Sequence, residues 1–402
     1  MEFTFSNKAK RFTYILMGVG LLGTIVGALT GDMVEGNRFW VNLFTNGFFF
    51  FAIALGALFF LALQYATETA WAVLVKRVFE GVMSFLPIGS IVLLIVFLVG
   101  SLHGHHIFHW MDGNLYEPLL ENGDPNPEYD SIIAGKAAYL NQPFFWIRTL
   151  VYIATFLIFA RFFRKQSLLE DQVGGVDLHK KNYKRSGLFM VLFAVFSTTL
   201  SWDWIMSIDT HWFSTLFGWY VFSGMWVSAI IFITLLVFYL KKRGYLPQVN
   251  ESHIHDLGKW MFALSFLWSY LWFSQFLLIW YSNIPEEVTY YVTRIEEFKV
   301  PFFMMFVINF ALPMLILMSR DSKRNYTFLT VVGLIVFIGH WLDVYLMIAP
   351  GSLFHWYFGL LEVGMFVFFL GLFIYVVLTT LTKAPLTPAS HPYLEESIHH
   401  EV

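Results

Sequence analysis

The chain has 402 residues, 57% of them hydrophobic and 13% charged, which is more apolar surface than a soluble fold can hide. A net charge of −3 speaks against a nucleic-acid partner. With no cysteine, the chain cannot hold cysteine-ligated iron–sulfur clusters, attached c-type haem or disulfides.

A helix needs roughly 20 apolar residues to cross a bilayer. In chain order the candidate spans are 11–30, 38–64, 70–100, 143–163, 186–208, 212–240, 257–282, 299–319, 325–348 and 355–381. The start, MEFTFSNKAKRF, runs straight into the first span without the cleavage pattern of a signal peptide, so none is expected. An even count of spans puts both termini on one side. The termini and the loops joining spans 2–3, 4–5, 6–7 and 8–9, with their helix ends, hold all of the 25 Lys and Arg except Arg38, Lys136, Arg148, Arg294 and Lys299. This bias predicts that both termini are cytoplasmic. The longest outer loop, 101–142, carries Asp112, Glu117, Glu121, Asp124, Glu128 and Asp130 against one lysine. It either covers a neighbouring subunit or is a solvated loop. The tail from Lys383 reads as flexible chain.

The chain also looks internally repeated. Span 4 opens PFFWIRTLVY at Pro143 and span 8 opens PFFMMFVINF at Pro301. SFLPIGS in span 3 is matched by SFLWSYL in span 7, and DWIMSI from Asp203 by DVYLMI from Asp343. Matches four spans apart keep one membrane orientation. They predict a parallel repeat of two four-helix bundles, spans 2–5 (about 38–208) and 6–9 (about 212–348), with spans 1 and 10 flanking.

Ionisable groups inside a bilayer are costly and mark packing networks or pathways. The first set is SWDWIMSIDTHW, with Asp203 near the outer end of span 5 and Asp209 and His211 in the turn. Asp209 is expected to cap span 6, and Asp203 to exchange protons. The second set is His340 and Asp343, three apart on one face of span 9, with Glu362 in span 10. These are read as the outer part of a proton path, or as buried pairs that fix packing. In span 3, Lys76 and Arg77 are expected to snorkel and Lys76 to pair with Glu80, four residues on; Glu80 is the candidate inner proton entrance. Finally, HGHHIFHW places His103, His105, His106 and His109 outside span 3 without a recognised metal-ligand pattern, so no metal site is assigned; they are read as contacts for a partner or for headgroups. Arg148 in span 4 is positioned to pair with an outer carboxylate. His340 alone lies securely within the slab, too few histidines for bis-histidine haem.

The run DWIMSIDTHWFSTLFGWYVFSGMW, with FSQFLLIWYSNIPEE at 273–287, resembles the membrane subunits of bacterial alternative complex III, within the wider NrfD-like, polysulfide-reductase-type anchors. The resemblance covers essentially all ten spans, and length and tails are more similar to the ActF-type than to the ActC-type copy. It implies a bacterial inner-membrane subunit of a quinol:electron-acceptor oxidoreductase, without a redox cofactor of its own. Implied partners are an ActC-like paralogue, a periplasmic iron–sulfur protein, haem c cytochromes, lipids and a terminal oxidase supercomplex. ActF-like copies are expected to offer polar proton paths, here through Glu80, Asp203, His340, Asp343 and Glu362. ActC-like copies oxidise quinol, such as menaquinol, at the outer end of the first bundle, where His103, Arg148, Asp203, Asp209 and His211 would lie. A quinol-oxidising subunit and an independent proton-coupled transporter are the alternative readings; parallel repeats and midplane charges suit the latter.

Overall fold

The computed structural model describes residues 2–30, 36–120 and 122–401; Glu121 of the acidic loop and Val402 of the tail lie outside the described residues. Among the described residues there is no strand, and ten helices are long and apolar enough to cross a membrane. They are α1 (Asn7–Thr30), α2 (Asn37–Ala66), α3 (Trp71–Ser101), α4 (Gln142–Val173), α5 (Val176–Ile208), α6 (Phe217–Lys242), α7 (Glu251–Ser282), α8 (Lys299–Leu317), α9 (Tyr326–Gly351) and α10 (Leu360–Leu381). The chain is an all-α, multi-pass membrane protein. The helix ends rich in Lys and Arg are called the basic face below, and the opposite ends the acidic face.

Within α2–α5, α2 packs on α3 and α5, and α4 on α3 and α5; within α6–α9, α6 packs on α7 and α9, and α8 on α7 and α9. The halves meet where α2 lies along α6. The phenylalanine run of α2 fills this centre, Phe50 contacting Phe85, Phe337, Phe369 and Phe373.

Outside the bundles, α1 lies along α10. Lipid offers no hydrophobic drive for helix pairing, so close backbone approach must supply the contact. A Cβ at Gly20 would sit 2.3 Å from Phe368 N, one at Gly27 2.3 Å from Leu361 N, and one at Gly364 2.5 Å from Thr24 N. Gly364→Leu is expected to cost about 1–3 kcal/mol and to loosen α1, measured as faster hydrogen–deuterium exchange across residues 7–30. Gly18→Leu, where the space is open, should change nothing.

Several boundaries differ from the hydropathy reading. α4 and α5 each run about ten residues beyond their apolar stretches, because the polar flanks are good helix formers and apolar length reports the slab, not the helix. Gly174 and Gly175, at φ 69° and 87°, turn the chain between them. An amphipathic helix, Pro285–Glu296, stands between α7 and α8. α8 relaxes into a π turn at Val307–Ala311, ahead of Pro313, which has no N–H to close the ladder.

The C-terminal tail is not loose. Ser397 Oγ accepts from Leu74 N at 3.3 Å and reaches Trp71 O at 3.1 Å. Ala389 N donates to Asp171 Oδ1 at 3.0 Å, and His400 Nε2 bonds Asp256 Oδ2 at 2.6 Å. Its composition reads as flexible because the groups that hold it sit on distant helices.

Candidate functional site

Four polar clusters interrupt the apolar bundle. On the acidic face, Asp203 is fully enclosed at the end of α5. Arg148 clamps it in a bidentate pair, Nε to Oδ2 and Nη2 to Oδ1 both at 2.8 Å, and the Tyr152 hydroxyl donates to Oδ2 at 2.9 Å. The Arg148 guanidinium lies against the rings of Tyr139 and Phe144, at 4.0 and 4.1 Å from their centroids. An ion pair this enclosed is held by geometry and complete hydrogen bonding rather than by net Coulombic gain.

The corresponding aspartate of the second half has a different setting. Asp343 is also buried, yet its hydrogen-bond donors are neutral: the Tyr220 hydroxyl on Oδ1 and Trp268 Nε1 on Oδ2 at 2.9 Å. Counting from the shared PFF, Arg148 corresponds to Phe306 and Tyr152 to Phe310, so the repeat has replaced the cation and the phenol by apolar rings. Phe306 packs on Trp272 instead. Among the described residues, the charge-bearing group paired with Asp343 is His340, whose Nδ1 lies 3.9 Å from Asp343 Oδ2. Both nitrogens of the buried His340 lack a hydrogen-bond partner among the described residues, as do both polar side-chain atoms of Asn309 in the π turn. His340 and Asp343 also line a void of about 10 Å³, at the lower limit for one water.

A third cluster lies at the start of α10. Glu362 accepts from Arg38 Nε and Nη2 at 2.9 and 2.8 Å, from Asn42 Nδ2 at 2.9 Å and from Gly359 N at 2.8 Å. Asn46 Nδ2 donates to Asn42 O, and Trp341 Nε1 to Asn46 Oδ1, which carries polar groups from Glu362 down α2 to α9.

The fourth cluster is on the basic face. Glu80 accepts from Arg77 Nη1 at 2.7 Å and from Arg164, and Arg77 also binds Asp171. Lys76 pairs with Glu170 at 2.8 Å rather than with Glu80. Neither Lys76 nor Arg77 snorkels: both are buried, because α4 offers carboxylates inside the bundle that helical spacing within span 3 does not reveal. Glu80 also lines an open cleft of about 590 Å³ between α3 and α4, with Arg161, Arg164, Lys165, Leu157 and Leu168.

Among the proton-path candidates, the structure brings His340 and Asp343 together, and gives Asp203 and Glu362 separate partners. Of the quinol-site candidates, the structure brings Arg148 and Asp203 together and gives Asp209 and His211 other partners. Arg148 is committed to Asp203. Asp209 does not cap α6, whose first residue is Phe217 with no side-chain cap; it binds Arg294 Nη2 at 3.1 Å instead. The turn places it against the helix Pro285–Glu296, too far before α6 to reach its free N–H groups. His211 donates to Asp130 Oδ2 at 2.6 Å, on the surface. His103 is exposed, in the left-handed turn that ends α3.

Of the HGHHIFHW histidines, His105 is buried and internal rather than a partner contact. Its Nε2 meets Val96 O at 2.9 Å and its Nδ1 accepts from Ile107 N, so the neutral tautomer with a proton on Nε2 fits both. Burial pushes this ring below the ordinary histidine range, with the charge of nearby His106 adding, against the opposing pull of the Val96 carbonyl. With the folded value depressed, the unfolded state binds the extra proton first. The anchor is complete above about pH 6.5 and weakens as pH falls below it. From pH 7.5 to 5.5, the protection of residues 101–116 relative to the intrinsic exchange rate should fall, and His105→Gln should flatten that dependence.

Arg38, Tyr152, Tyr220, Trp268 and Arg164 were not among the site candidates. Arg38 had a signal, as one of five basic residues on the acidic face. Asn42 and Asn46, four apart in a phenylalanine-rich span, had another.

No protein-family model matches the chain, and no curated protein matches it.

Proposed function

We propose that the chain is an integral membrane subunit of a quinol:electron-acceptor oxidoreductase of the alternative complex III type, serving proton movement rather than electron transfer. The observation that carries the reading is the pair His340–Asp343. Two titratable groups lie 3.9 Å apart in the interior of α9, held by neutral donors. A phenol can donate to the carboxylate or accept from the acid, so the site accommodates Asp343 in either protonation state. His340, neither of whose nitrogens is hydrogen-bonded among the described residues, can pass a proton on. Asp203, locked by Arg148, is the static member of the repeat.

The resemblance supports the redox context, since its motifs DWIMSIDTHW and FSGMW contain Asp203 and run alongside Tyr220. Electron carriers would reside in partners: an iron–sulfur protein and haem c cytochromes beside an ActC-like paralogue. With Arg148 and Asp203 closed on each other, and Asp209 and His211 bonded to Arg294 and Asp130, quinol oxidation is assigned to that paralogue. Mild-detergent purification of the tagged chain, read by mass spectrometry and visible spectra, tests the proposal. Stoichiometric haem c and an iron–sulfur partner are expected. A lone, colourless chain would reject it in favour of an independent transporter.

A further inference from the structure

The basic face holds a second cluster that the proton reading does not use. Glu170 near the end of α4, His179 near the start of α5 and His391 of the tail converge, one ligand atom from each lying within 4.8 Å of the others. All three are more than nine-tenths buried. Glu170 Oε2 is taken by Lys76, but among the described residues Oε1 has no hydrogen-bond partner, and neither does either nitrogen of His179. An imidazole must carry a proton on at least one nitrogen, and for His179 the acceptor given by the geometry is Glu68 Oε1, 3.6 Å from Nε2 and beyond hydrogen-bond length.

We propose that Glu170, His179 and His391 form a binding site for one divalent transition-metal ion of the zinc class, which clasps the C-terminal tail to the α4–α5 hairpin. Two imidazoles and one carboxylate are a recognised donor set for such ions. Tetrahedral ligands stand roughly 3.4 Å apart around zinc, so side-chain rotations alone can close the site. Lys76 occupies Glu170 Oε2, which leaves Oε1 for the ion. The half-exposed Glu68, its Oε1 3.6 Å from His179 Nε2, would offer a further carboxylate oxygen. The ion competes with one contact, the Tyr393 N–H that reaches His391 Nδ1 at 3.2 Å.

The site explains why a tail of loose composition docks. Ligands from three segments supply at one point what the tail lacks in apolar surface.

The test uses the full chain in detergent, purified through a tag without histidine and dialysed against a chelator. Titration with Co²⁺ should show one ion per chain with the visible absorption of a low-coordinate site, and Zn²⁺ should displace it. His391→Ala and His179→Gln should each weaken binding at least about tenfold and speed proteolysis after Lys383. His105→Gln, remote from the site, should do neither. His391 lies in the tail, so its loss leaves the ten helices folded, as size-exclusion and circular dichroism would verify. No retained ion, or an ion held equally by both ligand variants, would overturn the proposal.

Discussion

Asp203→Ala should lower the stability of the purified protein by about 3–5 kcal/mol. The expectation rests on what is left behind, not on what is removed. Arg148 keeps its charge in the mutant, held against Tyr139 and Phe144, with one backbone carbonyl, Tyr139 O, as its remaining acceptor. Tyr152 loses its acceptor as well. Replacing both members, as Asp203→Ala with Arg148→Gln, should recover part of the loss, because no uncompensated charge remains; the double-mutant cycle gives the coupling. Thermal midpoints in one detergent measure all four states. A loss below about 1 kcal/mol for Asp203→Ala would mean that water reaches the pair and that it behaves as a surface bridge.

Asp343→Asn should behave in the opposite way, with function lost and fold kept. The amide can donate to the Tyr220 oxygen while its carbonyl accepts from Trp268, so both hydrogen bonds survive. No cation is stranded. A proton carrier, however, has been replaced by a group that cannot titrate. If the chain moves protons through His340 and Asp343, proton-coupled turnover of the assembled complex should fall about a hundredfold with little change in thermal midpoint. His340→Gln should give the same phenotype. Unchanged turnover in both variants would leave the second aspartate as a packing device and the chain as a scaffold.

The contrast between these two aspartates was half legible beforehand. The repeat made Asp203 and Asp343 partners, and the spacing of His340 put it on the same helical face. Their chemical difference was also written in the chain, in Arg148 set against Phe306. It became interpretable only once α4 was seen to place Arg148 on Asp203, a contact spanning 55 residues. Asp209 shows the reverse. Its local pattern fits a helix cap, and a long-range partner, Arg294, prevailed because the helix that carries it, Pro285–Glu296, is too short and amphipathic for hydropathy to flag.

Helix class, number of spans and their order followed from the sequence alone, because burial in lipid is a local requirement: each span must be apolar and hydrogen-bonded within itself. Which buried charges meet was a tertiary matter. Arg38 and Glu362 lie 324 residues apart, Lys76 and Glu170 lie 94 apart, and His391 reaches Glu170 and His179 from the tail. No short-range signal encodes such pairs, since each member is merely an anomalous polar residue in its own segment. Desolvation makes the pairing compulsory, and the packing of helices distant in sequence selects the partner.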